Sequence, residues 1–234
     1  AGFHTVWKGE SYSTNALMNL SAIAAQTDRI RLGTAITNVF SRSPALVAMS
    51  IATLDKLAPE RAMLGLGVST ESVITSWYGL PYDQPLRRTR ELIEVVREMF
   101  ENDEIDYSGD IFDIGPYPVG FTPERESVPI YNAAMGPTNC RLTGEYADGW
   151  LPVFTPPEKI SELRNGPLQD GATKANRDIE EITIAPAITT AIAETDEKAK
   201  TLAKRSLAQA MAVGYNELVG RFGFGEAGNR AAAK

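Results

Sequence analysis

Three features of the chain carry residue types that could do chemistry. Ala134-Met135-Gly136-Pro137 follows an apolar run and precedes a helical one. Gly136 lets the backbone come close to a ligand, Pro137 fits a first helical turn, and the free N–H groups behind it form an anion site. The same punctuation also makes an ordinary strand-to-helix turn. Gly65-x-Gly67, followed by Val68-Ser69-Thr70, looks like a dinucleotide fingerprint, but a lone GxG is a weak signal. Cys140 falls in the first turn of a helix, where a thiolate is favoured; burial as a small apolar residue is the competing reading. His4 is the only histidine. Strand alternation points it opposite to Phe3, Thr5 and Trp7, toward a helix or solvent rather than a site. The chain holds no CxxC, HExxH or GxSxG, so neither a metal site nor a Ser-His-Asp triad is expected. Glu180-Glu181 and Asp103-Glu104 read as solvated charge pairs.

Composition narrows the class. With 234 residues, 43% hydrophobic and 23% charged, the chain can bury one large core, and a single α/β domain over residues 1–234 is expected. The 23 Lys+Arg against 30 Asp+Glu give a net charge of −7 without a basic block, which disfavours nucleic acid and anionic membranes as partners. No apolar run is long enough to span a bilayer and no stretch reads as a signal peptide. One cysteine excludes an internal disulfide and says nothing against a reducing cytoplasm.

The elements that must position these residues centre on Arg29 to Gly67. Ile30–Thr37 is a β-branched apolar run, a buried strand. Ser43-Pro44 opens a helix with Leu46, Val47, Ile51, Leu54 and Leu57 on one face, stopped by Pro59. Ala62–Gly67 is a second buried strand. Two apolar strands joined by an amphipathic helix make a right-handed parallel βαβ unit, with both sheet faces covered. Further strands are expected at Phe3–Trp7, Val128–Ala133, Gly149–Val153 and Ile182–Ile192. Helices are expected from Ser13 or Thr14 to Gln26 and over Glu71–Tyr78, Pro85–Glu101, Pro137–Tyr146, Pro156–Leu163, Thr195–Val213 and Tyr215–Phe222. In the Pro85–Glu101 helix, Arg87, Arg88, Arg90, Glu91, Glu94 and Glu98 are read as its solvated side. Asp106–Phe121, within an insertion at about 102–127, is irregular with room for a hairpin, and its length marks it as functional or flexible. Six strands alternating with helices suit either a doubly wound sheet or a (β/α)8 barrel.

Several segments together resemble the bacterial luciferase-like superfamily of flavin- and deazaflavin-dependent oxidoreductases. They are GFHTVW followed by GESY, TDRIRLGTAITN, RSPALVAMSIATLDKLAPERAMLGLG and VPIYNAAMGPTNCRLTGEYADGWLP. The later TIAPAITTAIAET and YNELVGRFGFGE look like its C-terminal part. The branch most resembled uses coenzyme F420 and is typified by methylenetetrahydromethanopterin reductase. The resemblance implies a (β/α)8 TIM barrel. It also implies a chain lacking the first strand and helix and the end of the last repeat, in keeping with a sequence that opens on Ala1 inside a strand-like run.

The family's site lies at the carboxyl ends of the strands, here the loops Lys8–Tyr12, Ala35–Arg42, Gly67–Thr70 and Ala133–Pro137. By resemblance, the cofactor phosphate sits at Ala134, Met135, Gly136 and Pro137. Ala35-Ile36 matches a non-proline cis peptide behind the central ring. Asn38 could hydrogen-bond a flavin-type pyrimidine edge, or simply make a turn. Gly67, with Val68 and Ser69, lets the backbone pass close to the ring. Glu10 and Ser11 stand where many members carry Asp-His. Glu10 could act as an acid or as a hydrogen-bond partner of the ring, or be a solvated loop residue. The implied activity is hydride transfer between F420 and a small organic substrate in a cytoplasmic homodimer. Alternatives are an FMN-dependent monooxygenase of the same fold and a non-catalytic cofactor-binding protein.

Overall fold

The computed structural model describes residues 2–10, 12–121 and 125–233. Its strands are β1 (Thr5–Lys8), β2 (Arg31–Thr34), β3 (Thr37–Asn38), β4 (Ala62–Gly67), β5 (Glu104–Ser108), β6 (Asp113–Pro118), β7 (Ile130–Ala133), β8 (Gly149–Trp150) and β9 (Thr183–Ile184). Its α-helices are α1 (Ala16–Ala24), α2 (Pro44–Leu57), α3 (Pro85–Glu101), α4 (Pro137–Tyr146), α5 (Pro157–Leu163), α6 (Gln169–Lys174), α7 (Asp196–Ala210), α8 (Asn216–Val219) and α9 (Gly225–Ala232). Among the described residues, seven strands form one sheet in the order β1-β2-β4-β7-β8-β9, with β3 continuing beyond β2 to pair with β4. Every pairing in that sheet is parallel.

Parallel strands bury both faces, and the two faces here differ. Leu32, Leu64, Leu66 and Ile130 point toward the helices, where they meet Leu20 of α1, Ile51 and Leu54 of α2, and Leu92, Ile93 and Phe100 of α3. The opposite face carries a small cluster of Met63, Tyr131 and Leu151 with Trp7, Ala35 and Ile36 against it. Glycines leave seats for the rings there. A Cβ on Gly33 would lie 2.3 Å from the Trp7 ring, and one on Gly149 2.1 Å from the Tyr131 ring. These two rings meet edge to face at 5.0 Å. A third cluster of Ala134, Cys140, Trp150, Leu163 and Leu168 fills the space under α4 and α5.

Local chemistry sets most boundaries where expected. Ser43 caps α2 by accepting from the Leu46 N–H at 3.3 Å, with Pro44 in the first turn. Strand β4 and helices α3 and α4 have the expected limits. Helix α1 instead starts after Asn15, whose side chain accepts from the Met18 N–H. The strand expected over Ile182–Ile192 is only Thr183–Ile184 plus a bridge from Val153 to Ala187, with the ladder carried by the N–H groups of Thr183, Ala185 and Ala187 on either side of Pro186. Short apolar content concealed α6 and α9, which sequence periodicity missed.

Asp106–Phe121 is part of the antiparallel hairpin β5–β6. Its turn corrects one expectation about α3: Glu91 is not solvated but fully buried. Its carboxylate accepts from the backbone N–H groups of Asp110, Ile111 and Phe112 at 3.1, 2.9 and 3.0 Å. Arg88 is likewise covered, its guanidinium lying over the rings of Phe40 and Phe112. The hairpin tip is therefore held at the first turns of α3, beside the loop that follows β3. Residues 122–124 of the expected insertion lie outside the described residues.

Candidate functional site

The loops at the carboxyl ends of the strands converge through three contacts. The peptide bond between Ala35 and Ile36 is cis. The Ala35 N–H donates to the Lys8 carbonyl at 2.9 Å, and a Cβ on Gly9 would lie 3.1 Å from the Ala35 oxygen. At Gly67, the space a side chain would take is lined by Ala133 and Ile36, at 3.1 and 3.3 Å from a built Cβ. The lack of a side chain thus lets the ends of β2, β4 and β7 come together. Val68 packs against the main core, and Ser69 turns the chain out of β4 with a left-handed φ of 59°.

Glu10 is not a solvated loop residue. Its side chain is 7% exposed and forms a two-pronged ion pair with Arg42. Oε1 accepts from Arg42 Nη2 at 2.7 Å and from the Ala16 N–H at 3.1 Å, while Oε2 pairs with Nη1. This pair ties the β1–α1 loop to the loop before α2. Arg42 was missed from sequence because nothing local links two loops so far apart in the chain. Ser11 lies outside the described residues.

Asn38 does two things. Its Oδ1 accepts from the Phe40 and Ser41 N–H groups at 3.1 and 2.9 Å, the turn-making role. Those bonds fix the orientation of the amide, so the other atom, Nδ2, is a donor. Among the described residues Nδ2 is buried without a partner, and so are Thr37 Oγ1 and Ser41 Oγ in the same short segment. Buried polar atoms normally find partners, so three orphans within five residues mark a place where a polar ligand fits.

The second end is built differently. Helix α4 begins at Pro137 with Gly136 before it and no side-chain cap, which leaves its first backbone N–H groups without intrahelical partners. Ala134 is fully buried, and its carbonyl accepts the Trp150 indole N–H at 2.7 Å. Asn132 donates to Asn139 Oδ1 and Thr143 Oγ1, both at 2.9 Å, anchoring the helix to β7. Met135 is half-buried between these fixed points. An Arg221 Nη1 lies 3.2 Å from a Cβ built on Gly136, which brings a guanidinium beside the open helix start. Arg221 was not picked from sequence, since it comes from a distant C-terminal turn.

The remaining candidates fall away from this site. His4 is exposed, with Nδ1 2.8 Å from Thr5 Oγ1. Cys140 is fully buried and burial pushes its thiol up to about 12, so it is no nucleophile. Among the described residues no group of His, Cys, Asp and Glu could hold a metal ion, and no helix is long and apolar enough to cross a membrane.

A parallel sheet backed by helices, with a cis peptide and orphaned polar atoms at the strand ends, is an α/β architecture of the class whose ligands bind at the carboxyl ends of the strands. The model of the luciferase-like monooxygenase family matches residues 1–233, and the chain belongs to that family. It is 32% identical over 204 residues to 5,10-methylenetetrahydromethanopterin reductase of Methanolobus tindarius, covering 87% of this chain and 61% of that protein. The chain therefore spans between half and about three fifths of the length of the curated relatives it matches. Among solved structures, the coenzyme F420-dependent tetrahydromethanopterin reductase of Methanopyrus kandleri superposes with a TM-score of 0.82 at 27% identity, over 90% of this chain and 65% of that one. An F420-dependent secondary alcohol dehydrogenase, solved with an F420-acetone adduct, gives 0.80 at 25% identity, over 93% and 67%. The sheet is accordingly part of a luciferase-like TIM barrel.

Proposed function

We propose that the protein is an F420-dependent oxidoreductase that moves a hydride between the deazaflavin and a small organic substrate. The observation that carries this reading is the trio of orphaned donors at Thr37, Asn38 and Ser41 beside the cis peptide. The relatives' F420 dependence supports the choice of cofactor. Asn38 Nδ2 is the donor a pyrimidine-edge carbonyl needs, and its rigid amide would orient the ring without reorganisation. Ala35, Ile36 and Gly67 would form the wall behind the ring, with Val68 and Ser69 at its edge. The backbone of Ala134, Met135, Gly136 and Pro137, with Arg221, would hold the phosphate. Bound there, the deazaflavin supplies a two-electron hydride donor or acceptor at a ring carbon. Glu10, paired with Arg42, keeps the β1–α1 loop in place and can orient a donor at the ring.

The reading carries with it a cytoplasmic homodimer acting on a small molecule. Its test is a titration of the purified protein with F420 and, separately, with FMN, followed by tryptophan quenching. Binding of F420 at least tenfold tighter than FMN is expected. A preference for FMN would move the reading to a monooxygenase, and binding of neither would remove it.

A further inference from the structure

A cavity of about 250 Å³ opens next to the end of β4. It is lined by Tyr12 of the β1–α1 loop, Ser69 and Val73 after β4, Ser206 and Gln209 of α7, and Tyr215. Engineered cavities of roughly 150 Å³ admit a benzene ring, so this one has room for a ring-sized molecule.

The cavity is roofed by the C-terminal helices. The turn Met211–Tyr215 sits on the β4 loop through Gly214, whose φ is 106°. A Cβ there would lie 3.3 Å from Thr70 Cβ and 3.6 Å from Ser72 Oγ. The Tyr215 ring is held edge to face against Phe154 at 5.0 Å. No hydrogen bond among the described residues engages the phenol oxygen of Tyr215 or Tyr12. Burial, then the neighbouring Tyr12, holds the Tyr215 hydroxyl above its ordinary range, so it remains an O–H donor at neutral pH.

No lining residue carries a charge. A charged ligand would leave water for a wall with no counter-ion, which is costly, whereas hydroxyl and amide groups satisfy a neutral polar ligand.

We infer that this cavity is the substrate subsite and that it takes a small uncharged alcohol or carbonyl compound, whose oxygen is recognised by Tyr215 and Gln209. The inference rests on the F420 reading for the word substrate, but the cavity's ligand preference is independent of it. In the corresponding reaction, an alcohol's carbinol carbon would lose a hydride and its hydroxyl a proton, giving a carbonyl, while oxidised F420 would take up both.

The test is ligand-observed saturation-transfer NMR on the purified chain, with and without F420. The probes are cyclohexanol, cyclohexanecarboxylate and cyclohexylamine, which share a ring and differ in charge. Cyclohexanol is expected to bind at least tenfold tighter than either ion. Tyr215→Phe is expected to weaken it about fivefold, the loss of one hydrogen bond. Gln209→Leu serves as the second variant should Tyr215→Phe fold poorly, with a similar loss expected. Equal or tighter binding of the carboxylate, no binding of any probe, or cyclohexanol binding indifferent to the folded variants would overturn the assignment. Tyr215-dependent cyclohexanol binding by a protein that takes up no F420 would uphold the cavity and defeat the cofactor reading.

Discussion

The two ends of the candidate cofactor site are organised by different parts of the chain. At the Thr37–Arg42 end, side chains do the work: Glu10 and Arg42 lock the loop, and Asn38 makes the turn while keeping one donor free. At the Ala134–Pro137 end the donors are backbone N–H groups, and side chains such as Trp150 and Asn139 only hold that backbone still. The difference teaches where specificity can reside. A side-chain donor reads the identity of the group it meets, whereas an open helix start accepts any anion that fits.

The largest break of that contrast comes from the ion pair. Arg42→Ala leaves the Glu10 carboxylate buried and unpaired, so it is expected to cost about 3 kcal/mol in urea unfolding. Asn38 gives a sharper cut. Asn38→Ala loses two accepted bonds and is expected to cost about 2 kcal/mol. Asn38→Asp keeps both bonds but removes the donor. Its buried carboxylate is expected to cost at least as much stability as the alanine, so the discriminating readout is F420 affinity in the folded protein, which should drop about tenfold. Unchanged F420 affinity in Asn38→Asp would assign Asn38 to the turn alone.

Glu91 offers a control away from both ends. Burial alone would push its carboxyl up, but the three N–H bonds from the hairpin tip and the nearby Arg90 outweigh it and hold it below the usual range. The ionised form is therefore the stabilising one. The stability gap between the parent and Glu91→Gln should be full at neutral pH and close as the pH falls through the folded-state titration, below the ordinary glutamate range. Chemical unfolding at pH 7 and pH 3.5 reads it. A gap that widened in acid would contradict the assignment. The smallest effect is expected at Arg221, which is exposed: Arg221→Ala should leave stability within about 0.5 kcal/mol.

Much of this was legible before any coordinates. Ser43-Pro44, Pro85 and Gly136-Pro137 are local signals, and the three helices start where those signals place them. The apolar run Ala62–Gly67 needs no partner to be read as a buried strand. Glu91 shows the limit: its spacing puts it among charged neighbours, and only the folded-back hairpin makes it buried. Arg42 and Arg221 were invisible for the same reason, as each acts on a loop distant in sequence. The orphaned donors at Thr37, Asn38 and Ser41 are a property of packing, which no residue pattern records.

The most direct measurement is isothermal titration of the parent, Asn38→Asp and Arg221→Ala with two ligands. One is F420, and the other is the corresponding deazaflavin riboside that lacks the phosphate and tail. With the two ends as described, Asn38→Asp weakens both ligands by the same factor, about tenfold, and Arg221→Ala weakens only F420. If Arg221→Ala weakened both ligands alike, or Asn38→Asp neither, the side-chain end and the backbone end would not be holding opposite ends of one cofactor.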